Sequence, residues 1–155
     1  MSAALPALRL ATAADVPALA ALYAEAAQTL GPLVYSPAQV AAWASFGVDT
    51  PAFRDYILSA DTWIAGLPPV AFCGIDVQGE VHSLYVAPGL TRQGLGTQLL
   101  AHALAHARAR GVQRFSAWAT PFSRPVFERA GLHLVQTVTE PYQGVLFERY
   151  RLASA

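Results

Sequence analysis

The chain of 155 residues is 54% apolar and 13% charged, with ten basic and ten acidic side chains. A chain of this length hides roughly 70% of its unfolded surface on folding, so residues 1–155 are read as one domain with a real core. Balanced charge excludes a broad basic field for nucleic acid or anionic lipid, and the single cysteine, Cys73, excludes an internal disulfide framework and a cysteine-built zinc site, which fits a cytoplasmic setting.

The opening stretch to Gly31 has no basic segment followed by an unbroken apolar core. Asp15, Pro17 and Glu25 interrupt it, so it reads as folded protein, neither a leader nor a membrane span. "LRLAT", Leu8 to Thr12, is a short strand, and Thr12 to Asp15 is a capping box for a helix that carries Val16, Leu19, Leu22 and Tyr23 and ends near Gly31. "YSPAQVAAWASF" starts a second helix, with Ser36 as N-cap and Pro37 at its first position, and stops at Gly47. Pro51 to Ser59 is a third, short helix. "DTWIAGL", "PVAFCGIDVQ" and "VHSLYVAP" are β-branched and aromatic runs separated by Pro68-Pro69 and Gly79-Glu80, the pattern of an antiparallel meander. Leu95 to Arg110 has the clearest helical stripe, with Leu95, Leu99, Leu100, Ala103, Leu104 and Ala107 on one face and Gly111 as its stop. "QRFSAWAT" is a strand returning beside "VHSLYVAP", "RPVFERA" a helix of one to two turns, and "LHLVQTV" with "VLFERYRL" a closing hairpin. This order requires a mixed sheet with helices on its faces, an α/β (mixed α+β) fold.

The one parallel crossover passes through "LYVAPGLTRQGLGTQLL". A helix N-terminus presents unpaired amides and the positive end of the helix dipole, and Gly94 and Gly96 let an anion approach without a Cβ in the way. Arg92 and Gln93 add a charge and a hydrogen-bonding side chain. The same glycines equally serve a turn that needs them for packing alone. Two nucleotide readings fail: no Gly-Lys pair supplies a Walker-type loop, and the glycines follow three antiparallel strands where a dinucleotide fold needs them after the first.

The stretch resembles the central motif of the GNAT superfamily of N-acetyltransferases, a strand ending in "V-x-P" followed by "[QR]-x-x-G-x-[GA]" at a helix start. Val86, Pro88, Gly94 and Gly96 stand at matching positions, and Thr91 departs from the usual Gln or Arg. "RPVFERAGL" is similar to the family's later helix and turn, with Phe127 where many members carry Tyr. "YSPAQVAAW" and "GVLFERYRL" are similar to a small bacterial subgroup. The resemblance spans nearly the whole chain. It implies a mostly antiparallel sheet of about seven strands, splayed between the fourth and fifth and flanked by about four helices. It also implies acetyl-coenzyme A as co-substrate, with pyrophosphate on Arg92, Gln93, Gly94, Leu95, Gly96 and Thr97, the pantetheine arm along Leu84, Tyr85 and Val86, and Phe127 against that arm or in the core. An N–H near Leu84 to Val86 then stabilises the oxyanion, worth about 3 kcal/mol per donor.

Acetyl transfer needs a neutral amine and a proton for the leaving thiolate. Glu80 and His82 are candidate bases, two residues apart on one face of a strand; the competing reading makes each a solvated residue beside a turn. The family's acid is a Tyr where this chain has Phe127, so either no acid is needed or another group substitutes, with Tyr85, Ser123 and Tyr142 as candidates and Tyr85 the one beside the splay. Tyr35 and Trp43 are candidate acceptor-site residues, because the first two helices border the acceptor in this superfamily. His102 and His106 are four residues apart without a metalloprotease Glu between them, and no metal site is expected. Cys73 reads as a small core residue. Three functions remain open: an N-acetyltransferase acting directly on a primary amine of a small molecule or peptide, a non-catalytic acyl-coenzyme A binding or sensing domain, and a structural protein with a vestigial groove. The apolar last strands are candidate surfaces for a homodimer.

Overall fold

The computed structural model describes residues 6–155; the first five residues of the stretch read as leader-free lie outside the described residues. Strand β1 (Leu8–Leu10) is shorter than "LRLAT" because Thr12 is used differently: its amide donates to the Asp15 carboxylate at 2.8 Å. Asp15 also takes both guanidinium nitrogens of Arg9, at 2.7 and 2.8 Å, and this hydrogen bonding holds its carboxyl well below the usual range. The box thus closes a 3₁₀ turn, Ala13–Asp15, from which α1 (Val16–Leu30) continues.

Helix α2 (Pro37–Ala44) begins as expected at Ser36, whose Oγ accepts from the Gln39 amide while Gln39 Oε1 accepts from the Ser36 amide. Helix α3 (Pro51–Leu58) is capped by Thr50. The meander follows as β2 (Asp61–Ala65), β3 (Ala71–Ile75) and β4 (Glu80–Val86). Helix α4 (Leu95–Ala109) leads to β5 (Ser116–Ala119), the short α5 (Arg124–Arg129), β6 (His133–Tyr142) and β7 (Val145–Ala153).

The seven strands form one mixed, mostly antiparallel sheet in the order β1-β2-β3-β4-β5-β7-β6, with β4 and β5 the parallel pair. Five α-helices flank it, one more than the resemblance implies, and α5 falls on the helix read at "RPVFERA". The last strand lies inside β6 because β7 carries the buried Phe147 and Leu152, whereas β6 is largely exposed. All five residues of β3 are buried, since both faces of the sheet are covered. One face packs Cys73, Val81 and Ala117 beneath Leu99, Leu100 and Leu104 of α4; the other packs Ile64 and Phe72 beneath Val16, Leu19, Phe53 and Ile57 of α1 and α3.

Two features of β4 fix its spacing from β5 and the direction of its side chains. At its start, Gly79 has φ +89° and its carbonyl accepts from the Ser116 amide at 3.1 Å, while a Cβ there would strike the Arg114 carbonyl. Only glycine lets β5 come in this close. In its middle, the register against β3 shifts: Ile75 faces Val81 and Gly74 faces Ser83, which leaves His82 as the extra residue of a β-bulge. Val81 and Leu84 therefore both pack toward α4, and Tyr85 packs toward α1 and α3.

Candidate active site

Strands β4 and β5 pair over only two rungs, Glu80 with Ser116 and Val81 with Ala117, and then diverge. A cleft of about 810 Å³ occupies the opening. Residues 82–86 of β4 form one wall; Trp118, Thr120, Phe122 and Phe127 form the other. One end reaches Arg92, Gly94 and Gly96 at the start of α4, and the opposite end reaches Ala26, Leu30, Leu33 and Trp43 of the α1–α2 region.

At the α4 end the backbone is shaped for an anion. Gly94 is the N-cap with φ 81°, and Arg92 also has positive φ, 63°. Among the described residues the amides from Arg92 to Thr97 donate to no protein group, as the first turn of a helix dictates. Two exposed guanidinium groups, on Arg92 and Arg129, line this end and pair with no carboxylate among the described residues. Thr91 lines it as well, but its hydroxyl donates to the Pro88 carbonyl at 3.0 Å, so it closes the preceding 3₁₀ turn, Pro88–Leu90. Of the predicted cofactor residues, Leu84, Tyr85, Val86, Arg92, Gly94, Gly96, Thr97 and Phe127 line the cleft; Gln93 and Leu95 do not. Phe127 is also part of the core beneath α4.

The candidate bases separate. Glu80 and His82 do lie on one face, but Glu80 does not line the cleft. Arg151 of β7 grips its carboxylate with two 2.7 Å hydrogen bonds, and Ser116 Oγ donates to it at 2.9 Å. The hydrogen bonds that Arg151 donates to Glu80 raise the Arg151 pKa, the mark of a committed ion pair. A carboxylate so bound has a structural task, tying β4, β5 and β7 together, with both its oxygens engaged by Arg151 and Ser116.

His82, by contrast, lines the cleft with its side chain 21% exposed, and its Nε2 lies 2.9 Å from Asp76 Oδ2. Its ring stacks on Tyr56 at 6.4 Å. The bonded Nε2 leaves Nδ1 without a protein partner among the described residues. Burial alone raises the Asp76 carboxyl, yet hydrogen bonds from His82 and from the Glu80 and Gln78 amides outweigh it, and its pKa is lowered. Asp76 thus stays ionised, fixing both the tilt and the tautomer of the imidazole.

Tyr85 also lines the cleft, and its hydroxyl accepts from Trp43 Nε1 at 3.2 Å. Burial raises its pKa, only partly offset by hydrogen bonding to Trp43, Tyr23 and Tyr56, so the phenol keeps its proton. Ser123 lines the cleft too, but its Oγ accepts from the Thr120 amide; Tyr142 sits at the end of β6, outside the lining. Trp43 is an acceptor-end wall, whereas Tyr35 lines a separate groove between α1 and α2 and touches the site through its ring contact with Trp43 at 5.6 Å. Burial pushes the Tyr35 phenol up to about 12.

Sequence reasoning missed Asp76, Phe122 and Arg129. Asp76 had a readable signal: it opens the "DVQG" turn, accepting from the Gln78 and Glu80 amides, six positions before His82. Phe122 lies in an irregular turn, where periodicity says nothing, and stacks on Trp43 across the cleft at 6.0 Å. Elsewhere, His106 bonds Asp61 and His102 packs edge-on to Trp63, and no group of three metal-ligating side chains assembles among the described residues. Burial pushes the Cys73 thiol up to about 12, as suits an inert core residue. No described helix is long and apolar enough to cross a membrane.

A seven-stranded sheet that parts after a parallel crossover, above a glycine-lined helix start, places the chain among acyltransferase folds. Residues 33–153 match the acetyltransferase (GNAT) domain, and the chain belongs to that family. It is 25% identical over 138 residues, 88% of this chain and 87% of the relative, to the uncharacterised N-acetyltransferase YafP of Escherichia coli K12. Among solved structures it is similar to a GCN5-related N-acetyltransferase (aminotransferase, class-II) from Rhodopseudomonas palustris. That match has a TM-score of 0.92 and 27% identity, covering 100% of this chain and 98% of the other. The PaiA N-acetyltransferase of Thermoplasma acidophilum, in complex with coenzyme A, shares the fold at a TM-score of 0.74 and 15% identity, covering 96% and 97% of the two chains.

Proposed function

We propose that the protein transfers acetyl from acetyl-coenzyme A directly to a primary amine, within a ternary complex. The observation that carries this reading is the single cleft that joins the free amides at the start of α4 to the unpaired edge of β4 and on to His82 and Trp43. The residues present suit the co-substrate. Arg92, Arg129 and the α4 amides offer charge and donors to its phosphates, and the exposed edge of β4 offers hydrogen bonds to its amide-bearing arm. The coenzyme A held by PaiA, a protein of the same fold, supports this.

In the proposed step the amine nitrogen forms a bond to the thioester carbonyl carbon and the carbon–sulfur bond breaks. His82, oriented by Asp76, takes the amine proton, directly or through a water; Tyr85 supplies a proton to the thiolate. Glu80 is left out of the proton path, since Arg151 and Ser116 occupy its carboxylate. The reading takes the chain as one domain acting in the cytoplasm.

Calorimetry with acetyl-coenzyme A, followed by thiol release in the presence of amines, tests it. Saturable heat and amine-dependent thiol release are expected. No heat and no thermal shift at about millimolar ligand would overturn it, and tight binding with no thiol release across amines would favour an acyl-coenzyme A sensor, the role that Phe127 in place of Tyr favours.

A further inference from the structure

The acceptor end of the cleft is apolar and aromatic, and no acid lines it. Trp43 and Phe122 face each other with planes 16° apart, Leu30, Leu33 and Ala26 complete the lining, and no Asp or Glu is among the cleft's lining residues. The nearby carboxylates are committed elsewhere, Asp76 to His82 and Glu80 to Arg151. Resting on the acetyltransferase reading, we infer that the acceptor is a monoamine with an apolar, aromatic-sized body, and that di- and polycationic amines are excluded.

The physics runs one way at each step. An amine entering apolar surroundings is driven toward its neutral form, which is the form that attacks, because desolvation penalises the ammonium. The one proton lost has an acceptor in His82. A second ammonium on the same molecule has neither a base nor a carboxylate to meet it, and its charge is desolvated without compensation. A flat or branched apolar group instead slides against the Trp43 and Phe122 rings, which favour both apolar contact and offset stacking. Leu33, 70% exposed at the lip of this end, is apolar where a polyamine site needs an acid.

The test compares kcat/KM for 2-phenylethylamine and spermidine at saturating acetyl-coenzyme A, read as thiol release. The expected result is a preference of about tenfold or more for 2-phenylethylamine, narrowed in Leu33→Glu, whose exposed position lets the variant fold. Equal or faster turnover of spermidine overturns the inference while leaving the acetyltransferase reading intact, as does failure of both amines with a protein that transfers acetyl to others. An unchanged preference in Leu33→Glu overturns the charge argument. A protein that binds no acetyl-coenzyme A overturns the underlying reading and the inference with it.

Discussion

Arg151 holds Glu80 through both guanidinium nitrogens at 2.7 Å, across 71 residues of sequence, and takes Ser116 Oγ into the same network at 3.0 Å. The guanidinium also lies 5.2 Å from the Trp118 ring centroid, so the pair is braced on one side by a wall of the cleft. The unit sits at the first of the two rungs over which β4 and β5 pair. Glu80→Gln is expected to leave the pH profile of acetyl transfer unchanged while lowering stability by about 1–3 kcal/mol, since Arg151 loses its charged partner. Arg151→Ala, which strands the carboxylate, is expected to cost at least as much. Urea unfolding and kcat/KM against pH check both; a shifted profile in Glu80→Gln would return Glu80 to the mechanism.

His82 carries the opposite expectation. It faces the cleft, it is oriented by an ionised Asp76, and its Nδ1 has no protein partner among the described residues. His82→Gln is expected to lower kcat by about 10²–10⁴-fold, the range that a positioned general base contributes. Asp76→Asn is expected to give a smaller loss, because the ring survives but its tautomer is no longer enforced. Acetyl-coenzyme A affinity should stay within about twofold in both variants, a split that simple misfolding does not produce.

At the start of α4 the relevant chemistry is backbone geometry plus charge. Gly94 has φ 81°, which costs a side-chain-bearing residue roughly 1–2 kcal/mol, and the strain falls on the turn that aims the amides. Gly94→Ala is expected to weaken acetyl-coenzyme A about tenfold or more. Arg92→Ala and Arg129→Ala are each expected to weaken it about tenfold, with a shallower dependence of affinity on salt, because a charge-assisted contact is lost. Calorimetry at two ionic strengths separates these effects: an Arg variant whose salt dependence matches the parent's would place that guanidinium away from the phosphates.

Much of this architecture was legible in the sequence for a physical reason. Ser36 and Pro37, the leucine stripe of α4 and the Gly79 turn are local signals, and each element they mark is found at its expected place. The bulge at His82 was not legible, because period-2 reasoning assumes an unbroken ladder. Nor was the fate of Glu80, whose partner arrives from β7 only because the last strand slips between β5 and β6. Tyr35 and Trp43 were read together as acceptor-site residues, yet a single ring contact separates the residue that lines the cleft from the one behind it.

Away from the cleft, Arg9 and Asp15 make the fold's acid dependence testable. The Asp15 pKa is depressed on folding, so the pair's contribution is fully present above the unfolded carboxyl value, about 3.9, and is lost as pH falls toward the folded value. Asp76, also lowered, acts in the same direction. The stability gap between the parent and Asp15→Asn is expected to be constant from about pH 5 to 8 and to close below about pH 4. Denaturant titrations across that range check it. A gap that stays open in acid would mean that the carboxylate's charge contributes nothing.

Of the described glycines, Gly79 leaves the least room for a side chain. Its φ of +89° disfavours any L side chain, and a Cβ would collide with the Arg114 carbonyl, part of the segment that brings β5 alongside β4. Backbone cannot yield as a flexible side-chain tip does, so Gly79→Ala must either twist the turn or push β5 outward. Both routes strain the Gly79 to Ser116 hydrogen bond and the Glu80 and Ser116 rung directly below it. The expected cost is about 3 kcal/mol or more, combining left-handed strain with steric displacement. The variant should also bind acetyl-coenzyme A more weakly, because the gap between β4 and β5 is set at that rung. A thermal melt and a binding isotherm on the same sample test the coupling, and a destabilised variant with unaltered affinity would show that the cleft is positioned independently of the turn.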